Sequence, residues 1–461
     1  MRNRIDAVAS WLFMVTICAL AVLHLSSAVP AAAQTGQNAV YNGASPVPSK
    51  SFIDASQFAS LSRDFCGVLH FVMTTGYPAT GAVIDARAVP TSTPPTNMTC
   101  SASPWAGITN PPPSTILLPA GAIQISTSWV LPSNTRLIGE GESDPLSAVP
   151  GTTIQAASNI QMQGGTMIQF GSSAVCGSSG CGGISVERLT LDGQAKFLNG
   201  IGNSYSQNNT YVDHVTLYQI LGTGLLISGP SAANSGPYTN IIFDTGAYSG
   251  TSGTVCAQII GTGTTVGTGG TKGIHGLMCK SETNDAPAAV LLDDSNNSIE
   301  DVKVVGFHDG VLVGSNAAAQ NNVLVNIIGD TSCGGLCTTT PINAIHIAPS
   351  NVTNLSIIGV SNSNMEGSNT IEDEETLPAP HFISDASVAM YAIGEPIGGG
   401  AYTRYTTSLK VPHWTVGTSA PNTSAQCSQG SLYSCTTPSS GGNVCTHALW
   451  VCGGSGWVFV K

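Results

Sequence analysis

One strand-sized segment recurs along the sequence at intervals of about two dozen residues. Segments with apolar residues at their fourth and mostly their sixth place begin at Val186, Val212, Thr239, Ile274, Ile299, Asn322 and Val352. Their starts are 26, 27, 35, 25, 23 and 30 residues apart. A second strand often follows after a Gly or Asp turn, as at Gly310-Val311-Leu312-Val313. Such a repeating unit is typical of one coil of a parallel β-solenoid.

The length of the repeat decides between two all-β architectures. Coils stack at the strand spacing of about 4.8 Å, and their inward side chains form one continuous core. A β-sandwich also contains many short strands, but it does not predict a repeating unit of this length. We therefore predict an all-β fold, a single-stranded parallel β-helix over residues 114–395, in which residues some two dozen apart become neighbours.

Residues 34–113 are predicted to form a cap region with one amphipathic helix. Its apolar residues follow the spacing of a helix face: Phe58, Leu61, Phe65, Val68, Leu69 and Val72. Asp54 with Gln57 matches a capping box, and Gly76 is suited to end the helix. The first coil, supplied by residues 116–141, exposes a sheet edge and an apolar end, so we expect the helix to cover both.

The N-terminus has the order of a secretory signal peptide over residues 1–33. Basic residues come first, then an apolar run from Trp11 to Leu25, then small residues ending in Ala31-Ala32-Ala33. The run is shorter than the roughly 20 residues that span a bilayer. The pattern predicts a secreted protein without a membrane span after cleavage, and an uncleaved anchor is the alternative.

The charge balance narrows the range of partners. The chain carries 14 Lys and Arg against 26 Asp and Glu, a net charge of −12. This excess of acidic residues argues against nucleic acid, whose phosphates are bound by Lys and Arg. Charged residues make up only 9 % of the chain and Gly numbers 53, which suits a β-rich extracellular protein.

Twelve cysteines remain after removal of the signal peptide, and they predict a set of disulfides. Four pairs follow from proximity in sequence or from closing the N-terminal region: Cys66 with Cys100, Cys176 with Cys181, Cys256 with Cys279, and Cys333 with Cys337. The last four allow three pairings: Cys427, Cys435, Cys445 and Cys452. Metal binding is the alternative, but the spacings match no zinc pattern.

Residues beyond 395 lose the coil pattern. We predict a linker at residues 396–421 and a small Cys-rich β module at residues 422–461. The module contains Tyr433, Trp450 and Trp457, which either stack on sugar rings or form the core of this small unit.

Two runs carry a resemblance to a known family, LPAGAIQI at residues 118–125 and LPSNTRLIGEG at residues 131–141. Followed by coils of this type, they resemble the right-handed parallel β-helix proteins of the pectate-lyase-like superfamily. The superfamily includes polysaccharide lyases, polygalacturonase-type hydrolases and phage tailspikes. The resemblance covers roughly residues 80–395. It implies the right-handed β-helix and a polysaccharide or surface glycan as partner, but this fold hosts unrelated activities and non-enzymes.

The resemblance also implies candidate site residues. Tyr211-Val212-Asp213-His214 is similar to a tetrapeptide of one pectate lyase family, and the preceding coil carries Glu187 and Arg188 at the equivalent places. Glu187 and Asp213 would then hold Ca²⁺ through oxygen ligands, with Arg188 as the base and Asp192 nearby. The predicted catalytic set is Arg188, Asp192, Asp213 and His214.

Several family motifs are absent. The arginine-and-proline motif that supplies the base in that lyase family is missing, and a solvated polar strand face explains the same residues. For a hydrolase, Asp293-Asp294 and His275 resemble polygalacturonase motifs, but the order is reversed and the other motifs are missing. We therefore predict a secreted polysaccharide-interacting β-helix protein, a lyase acting on uronate-containing glycan. The alternative is a non-catalytic surface or adhesion protein that binds glycan.

Overall fold

The structure of the protein is a computed structural model. It describes residues 52–62, 64–75, 81–91, 98–143, 151–158, 165–177, 180–229, 234–248, 253–261, 273–281, 286–330, 343–348, 352–363, 369–373, 382–384, 414–417, 432–435, 449–452 and 457–459.

Strands dominate the described residues. In chain order they are β1 (Phe52–Asp54), β2 (Ala82–Asp85), β3 (Thr99–Cys100), β4 (Ser114–Leu117), β5 (Gly121–Ile125), β6 (Trp129–Leu131), β7 (Thr135–Ile138), β8 (Thr152–Ala156), β9 (Thr166–Phe170), β10 (Ser185–Lys196), β11 (Asn199–Asn203), β12 (Tyr211–Ile220), β13 (Thr223–Ser228), β14 (Tyr238–Asp244), β15 (Val255–Ile260), β16 (Gly273–Lys280), β17 (Ala288–Asp293), β18 (Ser298–Val305), β19 (Asp309–Val313), β20 (Ala319–Gln320), β21 (Val323–Asp330), β22 (Asn343–Ile347), β23 (Val352–Thr353), β24 (Ser356–Ser363), β25 (Asn369–Asp373), β26 (Phe382–Ser384), β27 (Trp414–Gly417), β28 (Leu432–Cys435), β29 (Leu449–Cys452) and β30 (Trp457–Phe459).

Helices are few in the same part of the chain. They are the 3₁₀ segments Ala55–Leu61 and Val89–Thr91, the helix α1 (Phe65–Thr75) and the one-turn helix α2 (Ser173–Cys176). None of the described helices has the length and apolar character needed to cross a bilayer.

The chain contributes strands alternately to two long sheets. The first sheet follows the order β1-β2-β4-β7-β10-β12-β14-β16-β18-β21-β24-β26, with β3, β5 and β8 beside it. The second follows β6-β9-β11-β13-β15-β17-β19-β22-β25. Neighbouring strands are parallel, and Val186 lies opposite Val212, as the repeat predicts. The protein is therefore a parallel β-helix.

The core is a column of apolar side chains that all point into the coils. At one position of the first sheet the column contains Val186, Val212, Tyr238, Ile274 and Ile299, which are in register from strand to strand and fully buried. Because side chains alternate along a strand, the residues between these positions face outward. The alternation read from the sequence therefore separates core from surface.

Each coil of the first sheet bends at one residue in the left-handed backbone conformation. The bend column, from β10 to β24, consists of Arg188, His214, Asn240, Gly276, Asp301, Asn326 and Gly359, with φ between 52° and 69°. Gly, Asn, Asp and His adopt this conformation more readily than other residues. Arg188 is the one residue of this column whose type does not favour the left-handed conformation.

The N-terminal helix differs from the prediction of one continuous helix. A 3₁₀ segment, Ala55–Leu61, begins at Asp54, whose carboxylate accepts from Ser56 N, and it ends at the extended residue Ser62. Helix α1 then begins separately, because Asp64 Oδ1 accepts from Gly67 N at 2.9 Å. Two local caps thus replace the capping box predicted between Asp54 and Gln57.

The first sheet begins upstream of residue 114. Strand β1 pairs with β2, and β2 pairs with β4, in parallel register. Strand β3 pairs with β5, so the residues assigned to the cap region add three strands to this sheet. Helix α1 buries Phe65, Val68, Leu69 and Val72 in the same continuous core.

Three predicted disulfides are present. They join Cys66 to Cys100, Cys176 to Cys181, and Cys256 to Cys279. The predicted pair Cys333 and Cys337 lies outside the described residues, as do Cys427 and Cys445. Cys435 and Cys452 lie on β28 and β29, and the pairing of the last four cysteines stays a prediction.

A separate four-stranded sheet is formed near the C-terminus. Strands β28, β29 and β30 are antiparallel neighbours. Strand β27 pairs in parallel with β28, with Trp414 opposite Leu432. Residues 414–417 were predicted as part of a linker, but they form a strand of this sheet. A short strand can pair at a sheet edge independently of the residues on either side of it.

Candidate functional site

The polar part of the first sheet lies on its outward face, beside the bend column. One outward position carries Glu187, Asp213, Thr239, His275 and Glu300, which are in register on successive strands. Glu187 and Asp213 thus lie one coil apart, as predicted. Arg188 and His214 follow them in the bend column on β10 and β12.

Glu187 is held by donors of the protein itself. Its carboxylate accepts from Arg136 Nη2 at 2.9 Å, from Ser185 Oγ at 2.7 Å and from Tyr211 Oη at 2.7 Å. Partial burial raises the pKa of Glu187, but the hydrogen bonds from Ser185, Tyr211 and Arg136 outweigh it and hold the pKa below its usual value. Glu187 is therefore an ionised anchor for Arg136.

Asp213 orients the imidazole of His214. Asp213 Oδ2 lies 2.8 Å from His214 Nδ1, while Oδ1 accepts from Thr239 Oγ1 at 2.6 Å and from Asn240 Nδ2 at 3.0 Å. Partial burial raises the pKa of Asp213, but these hydrogen bonds and the His214 charge hold it below its usual value. The His214 side chain is 57 % exposed, and among the described residues no hydrogen bond is present at its other ring nitrogen, Nε2.

A loop after β7 lies across β10. Gly139 N donates to Glu187 O at 2.9 Å, and Gly141 N donates to Arg188 O at 3.1 Å. Ser143 closes the loop, because its backbone N donates to Thr190 Oγ1 at 3.0 Å. These contacts fix residues 139–143, named here the 139–143 loop, to the strand that carries Arg188.

Glu142 extends from this loop toward β12 and was missed by the sequence analysis. Its half-buried carboxyl forms a hydrogen bond with the Thr216 hydroxyl and lies within electrostatic reach of His214 and Asp213. Burial raises the pKa of Glu142, the charge of Asp213 adds to the rise, and Thr216 and His214 oppose it. The only local signal for this residue is the turn Gly139-Glu140-Gly141, which predicts a loop but not its neighbours.

Arg188 borders an open surface cavity. The cavity has a volume of about 270 Å³ and is lined by Arg87, Leu117, Leu118, Ile138, Gly139, Glu140 and Arg188. Arg87 donates to Asp85 at 2.7 Å. Arg188 is exposed, and within the described part of the chain no hydrogen bond or ion pair engages its side chain.

Asp192 is not brought to the other predicted site residues. It lies four residues beyond Arg188 on the same strand, a distance of about 13 Å at roughly 3.3 Å per residue. Its buried carboxylate accepts from Gln155 Nε2 at 3.0 Å and from Gln194 N at 2.9 Å. Asp192 lies on the part of β10 that follows the bend, and its catalytic role stays a prediction.

The polygalacturonase-like residues lie on different sheets. His275 is on β16 of the first sheet, with Nδ1 3.1 Å from Glu300 Oε2. Asp293 ends β17 of the second sheet, where it accepts from Ser315 and from Asn316 N at 3.0 Å. The two are thus not combined into one constellation.

Potential metal ligands were sought among the described residues. One group of three lies close together, Asp64, Cys66 and Cys100, and its cysteines form a disulfide. The carboxylates of Glu187 and Asp213 already accept hydrogen bonds from neighbouring side chains. Their predicted role as Ca²⁺ ligands stays a prediction.

Comparisons with known proteins add little to this description. No family model matches the chain, and no curated protein matches it. Among solved structures, the A-module of mannuronan C-5 epimerase AlgE4 from Azotobacter vinelandii is 12 % identical, with a TM-score of 0.31, over 59 % of this chain and 86 % of that one. ORF18 of Geobacillus virus E2 is 10 % identical, with a TM-score of 0.36, over 72 % of this chain and 61 % of that one.

The A-module of mannuronan C-5 epimerase AlgE6 from Azotobacter vinelandii is 12 % identical, with a TM-score of 0.26, over 72 % of this chain and 99 % of that one. At these TM-scores the similarities assign neither a family nor an activity. The β-helix is established by the parallel pairing of the strands.

Proposed function

We propose that this protein binds an acidic polysaccharide, one that contains uronate sugars, on the outward face of the first sheet around Arg188. The observation that carries the proposal is the exposed guanidinium of Arg188 beside the open cavity, free of side-chain partners among the described residues. A guanidinium binds a carboxylate through two parallel, charge-assisted hydrogen bonds. A uronate carboxylate is the group that matches this donor.

The backbone of Arg188 supports a functional role. Its φ of 56° places an Arg where Asn or Gly is the easier residue. Backbone conformations of this kind cost of order 1–3 kcal/mol and concentrate at functional sites. The guanidinium is thereby presented to solvent from a rigid strand and not from a loop.

The surrounding surface suits a sugar polymer. On neighbouring strands the outward face carries hydroxyl and amide groups, including Tyr211, Thr239 and Asn240. Such groups hydrogen-bond sugar hydroxyls without adding charge. Coils that repeat about every 4.8 Å also offer an extended surface along which a chain of sugars can lie.

Binding is tested with a matched pair of ligands. A polyuronate and its carboxyl-reduced derivative have the same rings and linkages but differ in the carboxylate. Calorimetry on the full chain is expected to show binding of the polyuronate and binding at least tenfold weaker for the reduced polymer. Equal affinities would contradict recognition through the carboxylate.

A second candidate function, β-elimination on the bound uronate, is favoured by His214. Arg188 and His214 occupy equivalent positions on adjacent strands, and Asp213 orients the imidazole. A uronate carboxylate bound at Arg188 would therefore place the neighbouring glycosidic bond near His214. The imidazolium can donate its Nε2 proton to the oxygen that leaves.

The lyase and the non-catalytic adhesion protein are separated by one assay. The full chain is incubated with polygalacturonate, alginate and hyaluronan, with and without Ca²⁺. New ultraviolet absorbance from an unsaturated sugar would establish a lyase and show whether Ca²⁺ is required. Binding without any new product would favour the adhesion protein, and new reducing ends without absorbance would indicate a hydrolase.

We also propose that the protein acts outside the cell. Support comes from the three disulfides, which form and persist in oxidising compartments. The signal-peptide pattern at residues 1–33 points the same way. N-terminal sequencing of the protein recovered from a culture medium tests both statements at once.

A further inference from the structure

We propose that the cavity beside Arg188 is a second subsite, which binds the sugar next to the uronate and recognises its ring hydroxyls through Glu140 and Arg87. This inference rests on the binding of a uronate at Arg188 proposed above. It adds to the site two residues that lie outside the set predicted from the sequence.

The floor of the cavity is apolar and continues the outward position of the first sheet. Asp85, Leu117, Ile138 and Glu187 occupy this position on successive strands. Leu117 and Ile138, the two in the middle, are half-buried and line the cavity. The C–H face of a sugar ring can pack on these aliphatic side chains, which removes apolar surface from water.

A guanidinium group stands at each end of this floor. Arg87 follows Asp85 at one end, and Arg188 follows Glu187 at the other. Asp85 and Glu187 are three strands apart, which corresponds to about 14 Å at a strand spacing of about 4.8 Å. Because both arginines line the cavity, it extends past a sugar bound at Arg188 and leaves room for a neighbouring one.

The two ends of the cavity differ in charge. The Asp85 carboxylate neutralises Arg87, since it accepts from Arg87 Nε at 2.9 Å and from Nη2 at 2.7 Å. Glu140 adds a further carboxylate there, so this end has one more negative than positive group. At Arg188 the described residues form no ion pair with the guanidinium. A carboxylate is therefore favoured at Arg188 and an uncharged group at the Arg87 end.

Glu140 is held in place through both its backbone and its side chain. Glu140 N donates to Thr152 Oγ1 at 2.9 Å, and Glu140 Oε2 accepts from Ala120 N at 3.1 Å. The other carboxylate oxygen, Oε1, lies 4.0 Å from Arg87 Nη1, which is too far for a direct hydrogen bond. A hydroxyl both accepts and donates, so a sugar hydroxyl can accept from Arg87 Nη1 and donate to Glu140 Oε1.

This arrangement predicts a preference among polyuronates. A polymer with free ring hydroxyls satisfies both Glu140 and Arg87. An O-acetylated polymer has no hydroxyl proton to donate, so the Glu140 carboxylate would face an ester oxygen without a hydrogen bond. The occupant is therefore a uronate-containing polymer whose ring hydroxyls are not esterified.

The test compares a polyuronate with the same polymer after O-acetylation of its ring hydroxyls. Calorimetry on the full chain gives Kd for the wild type, Glu140→Ala and Arg87→Gln, with Glu300→Ala as the matched control. Glu300 lies on β18 of the same sheet, away from the cavity, and its side chain is 35 % exposed against 40 % for Glu140. Arg87→Gln changes an exposed side chain, so it keeps the test valid if Glu140→Ala does not fold.

We expect acetylation to raise the Kd of the wild type and of Glu300→Ala by about 10-fold or more, the effect of losing a hydrogen bond to a charged group. In Glu140→Ala and Arg87→Gln, acetylation is expected to raise Kd by less than about threefold, because the hydroxyl has already lost a partner. The ratio of the two Kd values separates this contact from any general change in affinity.

Each other outcome overturns a defined statement. If the wild type prefers the polyuronate over its carboxyl-reduced derivative but binds the acetylated polymer equally well, the subsite fails and the proposed function stands. If acetylation has the same effect in the wild type, Glu140→Ala and Arg87→Gln, the hydroxyls are bound elsewhere and the assignment fails. It also fails if Glu300→Ala loses its sensitivity to acetylation. If the wild type binds no polyuronate, the proposed function and the subsite fail together.

Discussion

Arg188 and His214 are stacked on adjacent coils, each at the residue where its strand bends. The register pairs Glu187 with Asp213 before the bend and Leu189 with Val215 after it. Both residues have positive φ, 56° and 52°, so both side chains leave the sheet at the same point of the coil. A cation and an oriented imidazole are therefore brought side by side by the stacking of coils, although 26 residues separate them in sequence.

Replacing Arg188 is expected to weaken binding of the polyuronate. Arg188→Gln removes a charge-assisted contact of about 1.5–3 kcal/mol, which corresponds to a roughly 10–100-fold rise in Kd. Arg188→Lys is expected to recover only part of the affinity, because an ammonium does not offer the two parallel donors. Calorimetry gives the constants.

Lys303→Gln is the control for loss of a positive charge. Lys303 is exposed on β18 of the same sheet, away from the cavity. The Kd of Lys303→Gln for the polyuronate should match that of the wild type. A similar loss of affinity in both variants would show that the protein attracts the polymer by overall charge alone.

Removing the charge that orients His214 is expected to slow elimination without weakening binding. Asp213→Asn leaves the side-chain shape but loses the partner of His214 Nδ1, so kcat should fall by about 100-fold at unchanged KM. A variant with wild-type kcat would contradict the orienting role.

Acid is expected to destabilise the coil that contains Asp309. Burial raises the pKa of this carboxyl, but hydrogen bonds from His308, His346 and Asn343 outweigh it and hold the pKa below the usual value of 3.8. A lowered pKa in the folded state means that the stabilisation is present above the unfolded value and is lost as pH falls from about 3.8 through the folded value. Unfolding in urea between pH 3 and pH 6 measures this loss.

Asp309→Asn provides the comparison for that titration. The variant should be less stable at pH 6 and should lose less stability than the wild type on acidification. Parallel pH profiles for the two proteins would show that another group controls the acid response.

The disulfide between Cys256 and Cys279 is expected to contribute more to stability than the one between Cys176 and Cys181. It closes a longer loop, with a sequence separation of 23 residues against 5, and its contribution is about 3 kcal/mol in the chain-entropy description. It also joins β15 of the second sheet to β16 of the first, inside the core. Replacing each pair by Ala and comparing urea midpoints tests the order.

Equal shifts of the urea midpoint in the two variants that each lack one disulfide would contradict this ranking. The comparison is matched, because both changes remove two sulfur atoms and one covalent link. A larger shift of the urea midpoint on replacing Cys176 and Cys181 would show that the link in the loop containing α2 contributes more to stability.

The sequence by itself determined the architecture, because the stacked coils of a solenoid require a repeating pattern of apolar residues. Each coil must bury the same few positions against its neighbours, so apolar residues recur at a nearly constant interval and predict which residues are inward. The same logic located the pairing of Glu187 with Asp213. Three disulfides were predicted separately, from closeness of the cysteines in sequence or from closing the N-terminal region. Residues 116–141, predicted as the first coil, instead contribute to two successive coils, because β4 pairs with β7. What is local or periodic in a β-helix can therefore be predicted from residues alone.

The tertiary structure decided the contents of the site. Glu142 reaches β12 because the 139–143 loop is attached to β10, a contact between residues that share no periodic relation. The bends at Arg188 and His214 are likewise set by the folded backbone, and a one-residue bend leaves no apolar pattern in the sequence. Periodicity records which residues are buried together, whereas loops and bends are set by individual hydrogen bonds that only the folded chain can form.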